Sequence, residues 1–193
     1  MARKKRDPGE EIVQDNTRES FMAVYCGLKG SGKRAGRDVC DEAGNSIELK
    51  STTGESVSTA RDVGLHTIKT WQQEYWIFSV GHNFKGSWMM RELYIAHPDN
   101  LEPWFAEIAK KLRNDAKVAE TVLKAARARG VPDETLARAD YLFKRGATIN
   151  NPHIPMALIR KRATKVTLND PDAARKEVKG FIKRNPLTSK SSG

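Results

Sequence analysis

"RDVCDEAGNSIELKST", residues 37–52, reads as a β-hairpin: a short strand from Arg37, a turn at "EAGN", and an alternating strand from Ser46 to Thr52. Side chains alternate along a strand, so Ile47 and Leu49 point to one face and Glu48 and Lys50 to the other. If the hairpin turns around Gly44, Asp38 lies opposite Leu49 or Lys50, and its carboxylate approaches the face that carries Glu48 and Lys50. Two acids and one amine then meet. A pair of carboxylates is a hard-oxygen site suited to Mg2+, with waters and the backbone carbonyl of Leu49 as further ligands. Such a metal polarises a phosphodiester and lowers the pKa of a bound water, while the lysine orients that water or neutralises charge developing on the phosphorane. The same residues also fit an ordinary exposed strand face, where a cross-strand charge pair contributes about a few tenths of a kcal/mol.

Outward from the hairpin, "EEIVQDNTRESFMAVYCGL" (residues 10–28) spaces Ile12, Val13, Phe21, Val24 and Leu28 as a helix that ends near Gly27 or Gly30. "GLHTIKTWQQE" is helical, "YWIFSVG" is a buried central strand, and "WMMRELYIA" pairs beside it. From Glu102 the period is helical, with Trp104, Ile108 and Leu112 on one stripe and a stop at Gly130. "PDETLARADYLFKRG" forms another helix, and "ATINNPHIPMALI", punctuated by Asn-Pro and Ile-Pro, is extended or looped. A last helix, "PDAARKEVKGFIKR", starts after Asn169 or Asp170 as its cap. This order predicts an α+β fold with a small mixed β-sheet flanked by helices.

With 193 residues the chain is long enough for one well-buried core. The expected division is a flexible basic arm over 1–11, a single domain over 12–185 with extra C-terminal helices, and a disordered tail over 186–193. A net charge of +10 calls for an acidic partner, with nucleic acid ahead of membrane. The basic residues cluster as "RKKR" at Arg3 to Arg6, around Lys29, Lys33, Arg34 and Arg37, and as "RKR" at Arg160 to Arg162, which favours a phosphate-facing surface over mere solubility. "RKKR" also fits a nuclear address, although a short basic end is more often an arm. The two cysteines, Cys26 and Cys40, have no metal-ligand spacing and read as reduced. No apolar run approaches a membrane span, and the basic N-terminus leads into "DPGEEIVQDN" instead of an apolar signal region. "GLKGSGKRAGRD" (residues 27–38) opens like a phosphate-binding loop, but Arg34 stands where a magnesium-ligating hydroxyl is needed, which argues against a nucleotide.

The segment "GRDVCDEAGNSIELKS" resembles the active-site hairpin of the PD-(D/E)xK nucleases and, more narrowly, of the PvuII-like type II restriction endonucleases. "STARDVGLHTIKTWQQEYWIF" resembles the strand-turn-helix-strand of that family, "INNPHIP" its C-terminal DNA-contact loop, and "QDN" at Gln14 to Asn16 lies at nearly the matching distance before the hairpin. The resemblance runs from about Ile12 to Ile159. It implies a restriction-endonuclease-like core in a cytoplasmic, bacterial enzyme. Asp38 and Glu48 would hold one or two Mg2+ per subunit with the Leu49 carbonyl, and Lys50 would assist attack on the scissile phosphate. It further implies an N-terminal helical dimer interface and Asp15 near the minor groove. Ser58, Thr59, Asn150, Asn151 and His153 would lie at bases or backbone, although a lone histidine is more often structural. The implied partners are a palindromic double-stranded DNA site and a second copy of the chain, with no membrane and no nucleotide.

Three positions depart from the family pattern. Ala35 stands where the family has an acid three residues before its metal aspartate, and Trp71 where it has a tyrosine near the active site. Where the family has a run of histidines, this chain reads Ala60, Arg61, Asp62, so its base reading should differ. Arg61 suits guanine O6 and N7 in the major groove and Asp62 a cytosine amine, unless the two pair with each other as a surface salt bridge. Two rival classes share these features: a structure-selective nuclease with the same metal hairpin, and a sequence-specific DNA-binding protein without catalysis.

Overall fold

The computed structural model describes residues 8–30, 39–85, 87–146 and 148–187. In chain order its elements are α1 (Pro8–Tyr25), β1 (Lys29–Gly30), β2 (Val39–Cys40), β3 (Ser46–Thr52), β4 (Ser56–Ser58), α2 (Leu65–Trp71), β5 (Tyr75–Phe84) and β6 (Ser87–Ala96). A 3-10 turn (Pro98–Leu101) leads to α3 (Glu102–Ala128), α4 (Asp133–Gly146), β7 (His153–Pro155), α5 (Met156–Arg162), β8 (Thr164–Val166) and α6 (Pro171–Arg184).

Six strands form one sheet in the order β1-β2-β3-β5-β6-β8, and β4 pairs with β7 in a separate two-stranded ribbon. β3 and β5 are parallel, with Glu48 opposite Trp76 and Lys50 opposite Phe78, while β6 runs antiparallel to β5 and β8 antiparallel to β6. The sheet is therefore mixed, as its sequence predicts. Helices cover both faces, which is why the central strands carry unbroken apolar runs. On one face Trp76, Phe78, Tyr94 and Ala96 pack with Trp71, Trp104, Phe105 and Met156. On the other Ile47, Leu49, Tyr75, Ile77, Leu93 and Ile95 pack against Met22 of α1, Cys26 just after it, and Val178 and Phe181 of α6. The Ile, Leu, Val, Phe and Met side chains among them each contribute about 1.5–3 kcal/mol by leaving water.

The helix ends follow their local chemistry. Gly27, at φ +69°, lets α1 close with paired bonds from Gly27 N to the Val24 carbonyl (3.1 Å) and from Leu28 N to the Ala23 carbonyl (2.8 Å). At the start of α6, the Asp170 carboxylate accepts from Asp172 N at 3.1 Å and Ala173 N at 3.2 Å.

Several expectations need correction. In the β2–β3 hairpin Val39 faces Ile47 and Cys40 faces Ser46; Asp38, expected opposite Leu49 or Lys50, lies outside the described residues. α1 begins at Pro8, inside the stretch read as an arm, because the proline ring presets φ for a first helical residue. Among the described side chains at its C-terminal end, Met22, Ala23 and the following Cys26 are buried, while Phe21 and Val24 of the expected stripe are exposed. "MALI" is not looped: Pro155, at φ −63° and ψ 133°, is the N-cap of α5, so the proline precedes the helix and breaks nothing. The three-residue β8 was not anticipated, since so short an edge strand carries no readable alternation.

Candidate active site

The hairpin strand brings Glu48 and Lys50 to one face, beside Trp76 and Phe78 of its parallel neighbour. Among the described residues β2 pairs only with Ser46 and Ile47, so from Glu48 onward β3 has strand partners on its β5 side alone. The Lys50 ammonium leans back along the strand: Nζ is 2.8 Å from Glu48 Oε1 and donates to the Leu49 carbonyl at 2.9 Å. It also lies 3.7 Å from Oε1 of Glu19 on α1. The Glu48 side chain is only 10% exposed and that of Lys50 13%. A carboxylate so far removed from water needs a cation or strong donors near it, and the ammonium supplies one.

This arrangement bears on a metal. A carboxylate oxygen and a backbone carbonyl oxygen converge on one cationic atom, and both are the hard donors that Mg2+ takes. Asp38 lies outside the described residues. Among those described, no group of three or more His, Cys, Asp or Glu side chains comes together as a metal site.

Glu19 was missed by sequence reasoning, although a signal existed. Residues 19, 22, 23 and 26, the last just past the end of α1, form an i, i+3, i+4, i+7 stripe, and its last three members are buried. The polar first member interrupts the apolar pattern, which leaves the stripe through Phe21 and Val24 as the more periodic of the two.

A second cluster forms on the β4–β7 ribbon. Val57 and Ile154 face inward and are fully buried, and Ser58 sits opposite His153 on the outer side. His153 Nδ1 lies 3.4 Å from both Ser58 Oγ and Ser56 Oγ, and Trp104 Nε1 donates to the His153 carbonyl at 2.9 Å. Thr59 Oγ1 donates to the Pro152 carbonyl at 2.7 Å, and Asn151 N to the Ala60 carbonyl at 3.1 Å. Val63 and Ile149 then exchange backbone bonds of 3.0 and 2.9 Å. Segments 58–63 and 149–153 thus make one surface, on which Arg61, Asp62 and Asn150 are exposed. Asp62 (φ +53°) and Asn151 (φ +51°) hold left-handed turns that Asp and Asn tolerate better than most residues. Arg61 and Asp62 form no ion pair with each other among the described residues, so the salt-bridge alternative does not hold here. Asp15 falls within α1, and its side chain is outside those described.

A cavity of about 900 Å³ lies elsewhere, among the end of α1, the β2–β3 turn and α6; Cys26, Tyr75 and Ile182 line it, and no candidate site residue does.

The family model for restriction endonuclease PvuII matches residues 4–124. The chain belongs to that family. No curated protein matches it. Membership in the PvuII family makes the chain a type II site-specific deoxyribonuclease that acts on double-stranded DNA and draws on a divalent metal. The mixed sheet flanked by helices is the corresponding core. The match takes in Glu48, Leu49, Lys50 and residues 58–62 but ends before Asn150; it is the ribbon pairing that joins the later loop to the matched part. No helix among the described residues is long and apolar enough to cross a membrane.

Proposed function

We propose that this restriction endonuclease is a homodimer that hydrolyses one phosphodiester in each strand of a short palindromic site, in the cytoplasm of a bacterial cell, with Mg2+ as its metal. The observation that carries the reading is the convergence of Glu48, the Leu49 carbonyl and Lys50 on β3. Asp38, Glu48 and the Leu49 carbonyl would hold one or two Mg2+ per subunit. When bound, the ion supplies Lewis-acid polarisation of the scissile phosphodiester and a lowered pKa for water. The Lys50 ammonium, held by Glu48, keeps a fixed positive charge where negative charge grows on the phosphorane.

Base reading falls to the ribbon and its loops. Arg61 grips guanine O6 and N7 through its planar fork, and Asp62 accepts from a cytosine amine. Ser58, Thr59, Asn150, Asn151 and His153 contact bases or backbone around them, and Asp15 approaches the minor groove. A second copy fits a palindrome because each subunit then reads one half-site and cuts one strand. The exposed Phe21 and Val24 on α1 support a helical dimer interface, since burying them against a partner removes apolar surface from water.

The test is digestion of a fully sequenced plasmid with Mg2+ or with EDTA, followed by mapping of fragment ends. Discrete Mg2+-dependent fragments with a shared palindrome at their ends are expected. A Mg2+-dependent smear would point to a structure-selective or nonspecific nuclease, and intact DNA in both to binding without cleavage.

A further inference from the structure

Glu55 lies just before β4, and α5 begins directly after β7, so the base of the ribbon is closed by a bond from Met156 N to the Glu55 carbonyl at 2.9 Å. Arg160 of α5 sits over that closure. Its Nη1 donates to Glu55 Oε2 at 2.8 Å, and its Nη2 and Nε donate to Glu92 Oε1 and Oε2 at 3.2 and 3.3 Å. Glu92 belongs to β6, opposite Val80 of β5, which in turn lies opposite Thr52 of β3. One guanidinium therefore joins the base of the ribbon to the sheet on the row that passes two residues beyond Lys50. Tyr94 donates its hydroxyl to the same Glu92 carboxylate, and Tyr94, Phe78 and Lys50 share the next row on that face. The Arg160 bonds, followed by the Tyr94 bond, hold the Glu92 carboxyl below its ordinary range.

An isolated surface ion pair contributes little, because water screens it and the side chains must be ordered. This arrangement differs in geometry: a planar fork engages Glu92 through two bonds and leaves its third to Glu55, which fixes direction as well as distance. We propose that Arg160 is a positioning residue that sets the β4–β7 ribbon against the catalytic strand, so that only correctly read DNA presents its phosphate to Glu48 and Lys50. The proposal rests on the ribbon being the base-reading element.

The test compares wild type, Arg160→Gln, Arg160→Lys and Glu55→Gln on the mapped cleavage site and on sites changed at one base pair, with kcat and KM separated and folding followed by thermal melts. Misplacement far from the chemistry costs catalysis on the order of ten- to a hundredfold. Arg160→Gln is expected to lose kcat on the mapped site by about that factor with KM little changed, and to lose a similar factor in discrimination. Arg160→Lys, which keeps the charge without the fork, should recover only part. Glu55→Gln removes the charge that Arg160 bonds at the ribbon and leaves the Arg160–Glu92 pair and the backbone closure, so it should show the same losses as Arg160→Gln in smaller measure even if that variant fails to fold. Folded variants with wild-type discrimination and kcat overturn the positioning role and leave the proposed function intact. A wild type that yields no discrete fragments, or an Asn150→Ala variant that reads DNA as the wild type does, overturns the reading beneath it.

Discussion

Lys50 and Glu48, two apart on β3, meet through a 2.8 Å contact between Nζ and Oε1, and the same ammonium binds the carbonyl of the residue between them. The strand's two-residue period is what makes this possible, because side chains at i and i+2 share a face. The two charges compensate each other: the carboxylate localises the ammonium, and the ammonium offsets the cost of placing a carboxylate where little water reaches it.

Glu48→Gln preserves shape and removes the charge. Cleavage is expected to fall by at least about 10²–10³, the scale on which single electrostatic contributors to a transition state act. DNA binding should persist or tighten, since one negative charge leaves the neighbourhood of the phosphates. Single-turnover cleavage across a Mg2+ titration, with binding measured in parallel, checks both; undiminished cleavage would remove Glu48 from the site.

Glu19→Gln should be far milder. Glu19 lies 3.7 Å from Lys50 Nζ with a side chain 24% exposed, and Glu48 still holds the ammonium without it. An ion pair of that kind is worth up to about 1 kcal/mol, so the cleavage rate should fall by no more than about fivefold. A loss as deep as that of Glu48→Gln would instead make Glu19 a participant in the chemistry.

Arg61→Ala tests the base-reading assignment. Loss of a bidentate contact to guanine should cost about 1–3 kcal/mol on the specific site and much less on unrelated DNA. Competition binding at several salt concentrations separates the two, because a phosphate contact would weaken all sequences alike and flatten the salt dependence. Equal loss on both DNAs would move Arg61 to the phosphate-contacting residues.

What could be read in the sequence was what local periodicity carries. The alternation of Ser46 to Thr52 set Glu48 and Lys50 on one face, the apolar runs around Ile77 and Ile95 became adjoining strands, and Asp170 capped the last helix as its position required. Pairing between distant segments leaves no such mark. Ser58 meets His153 across 95 positions and Arg160 meets Glu92 across 68, and nothing in either local pattern names the partner. The facing of α1 failed for a related reason: the buried stripe begins with Glu19, whose place is decided by Lys50 on another element and not by hydrophobicity. Pro155 misled because a proline that breaks a helix and one that precedes a helix look alike until the next turn is seen.

The cysteines should differ sharply in reactivity. Burial pushes the Cys26 thiol from 9.0 up to about 12, and thiolate is the reactive form. At pH 8 a thiol reagent is expected to modify Cys40, which is partly exposed, and to reach Cys26 only when the chain unfolds. Because the folded pKa of Cys26 is raised, its contribution to stability is full below about pH 9 and is lost as pH climbs toward 12. Melts of wild type and Cys26→Ala should therefore converge on the alkaline side of that window. Two rapidly reacting thiols in the folded protein would contradict the burial.

Gly81 marks the point where the β5–β6 pairing shifts register, between Val80 and Gly81, just beyond the Val80–Glu92 pair. A Cβ at Gly81 would collide with the Met89 carbonyl oxygen and meet the Trp88 ring at 2.8 Å. The first obstacle is backbone, which has no rotamer to give. The second is a ring already capped by Arg18, whose guanidinium lies 4.6 Å from its centroid. Gly81→Ala should therefore destabilise by about 1–3 kcal/mol through overpacking, with Tm falling by roughly 2–4 °C per kcal/mol for a chain of this size. Gly54→Ala is the control, because its nearest obstacle is Thr52 Oγ1 at 4.0 Å, and its Tm should stay close to that of the wild type. If Gly81→Ala melts with the control, the two strands can separate at the bulge without loss, and the crowding at Gly81 does not limit stability.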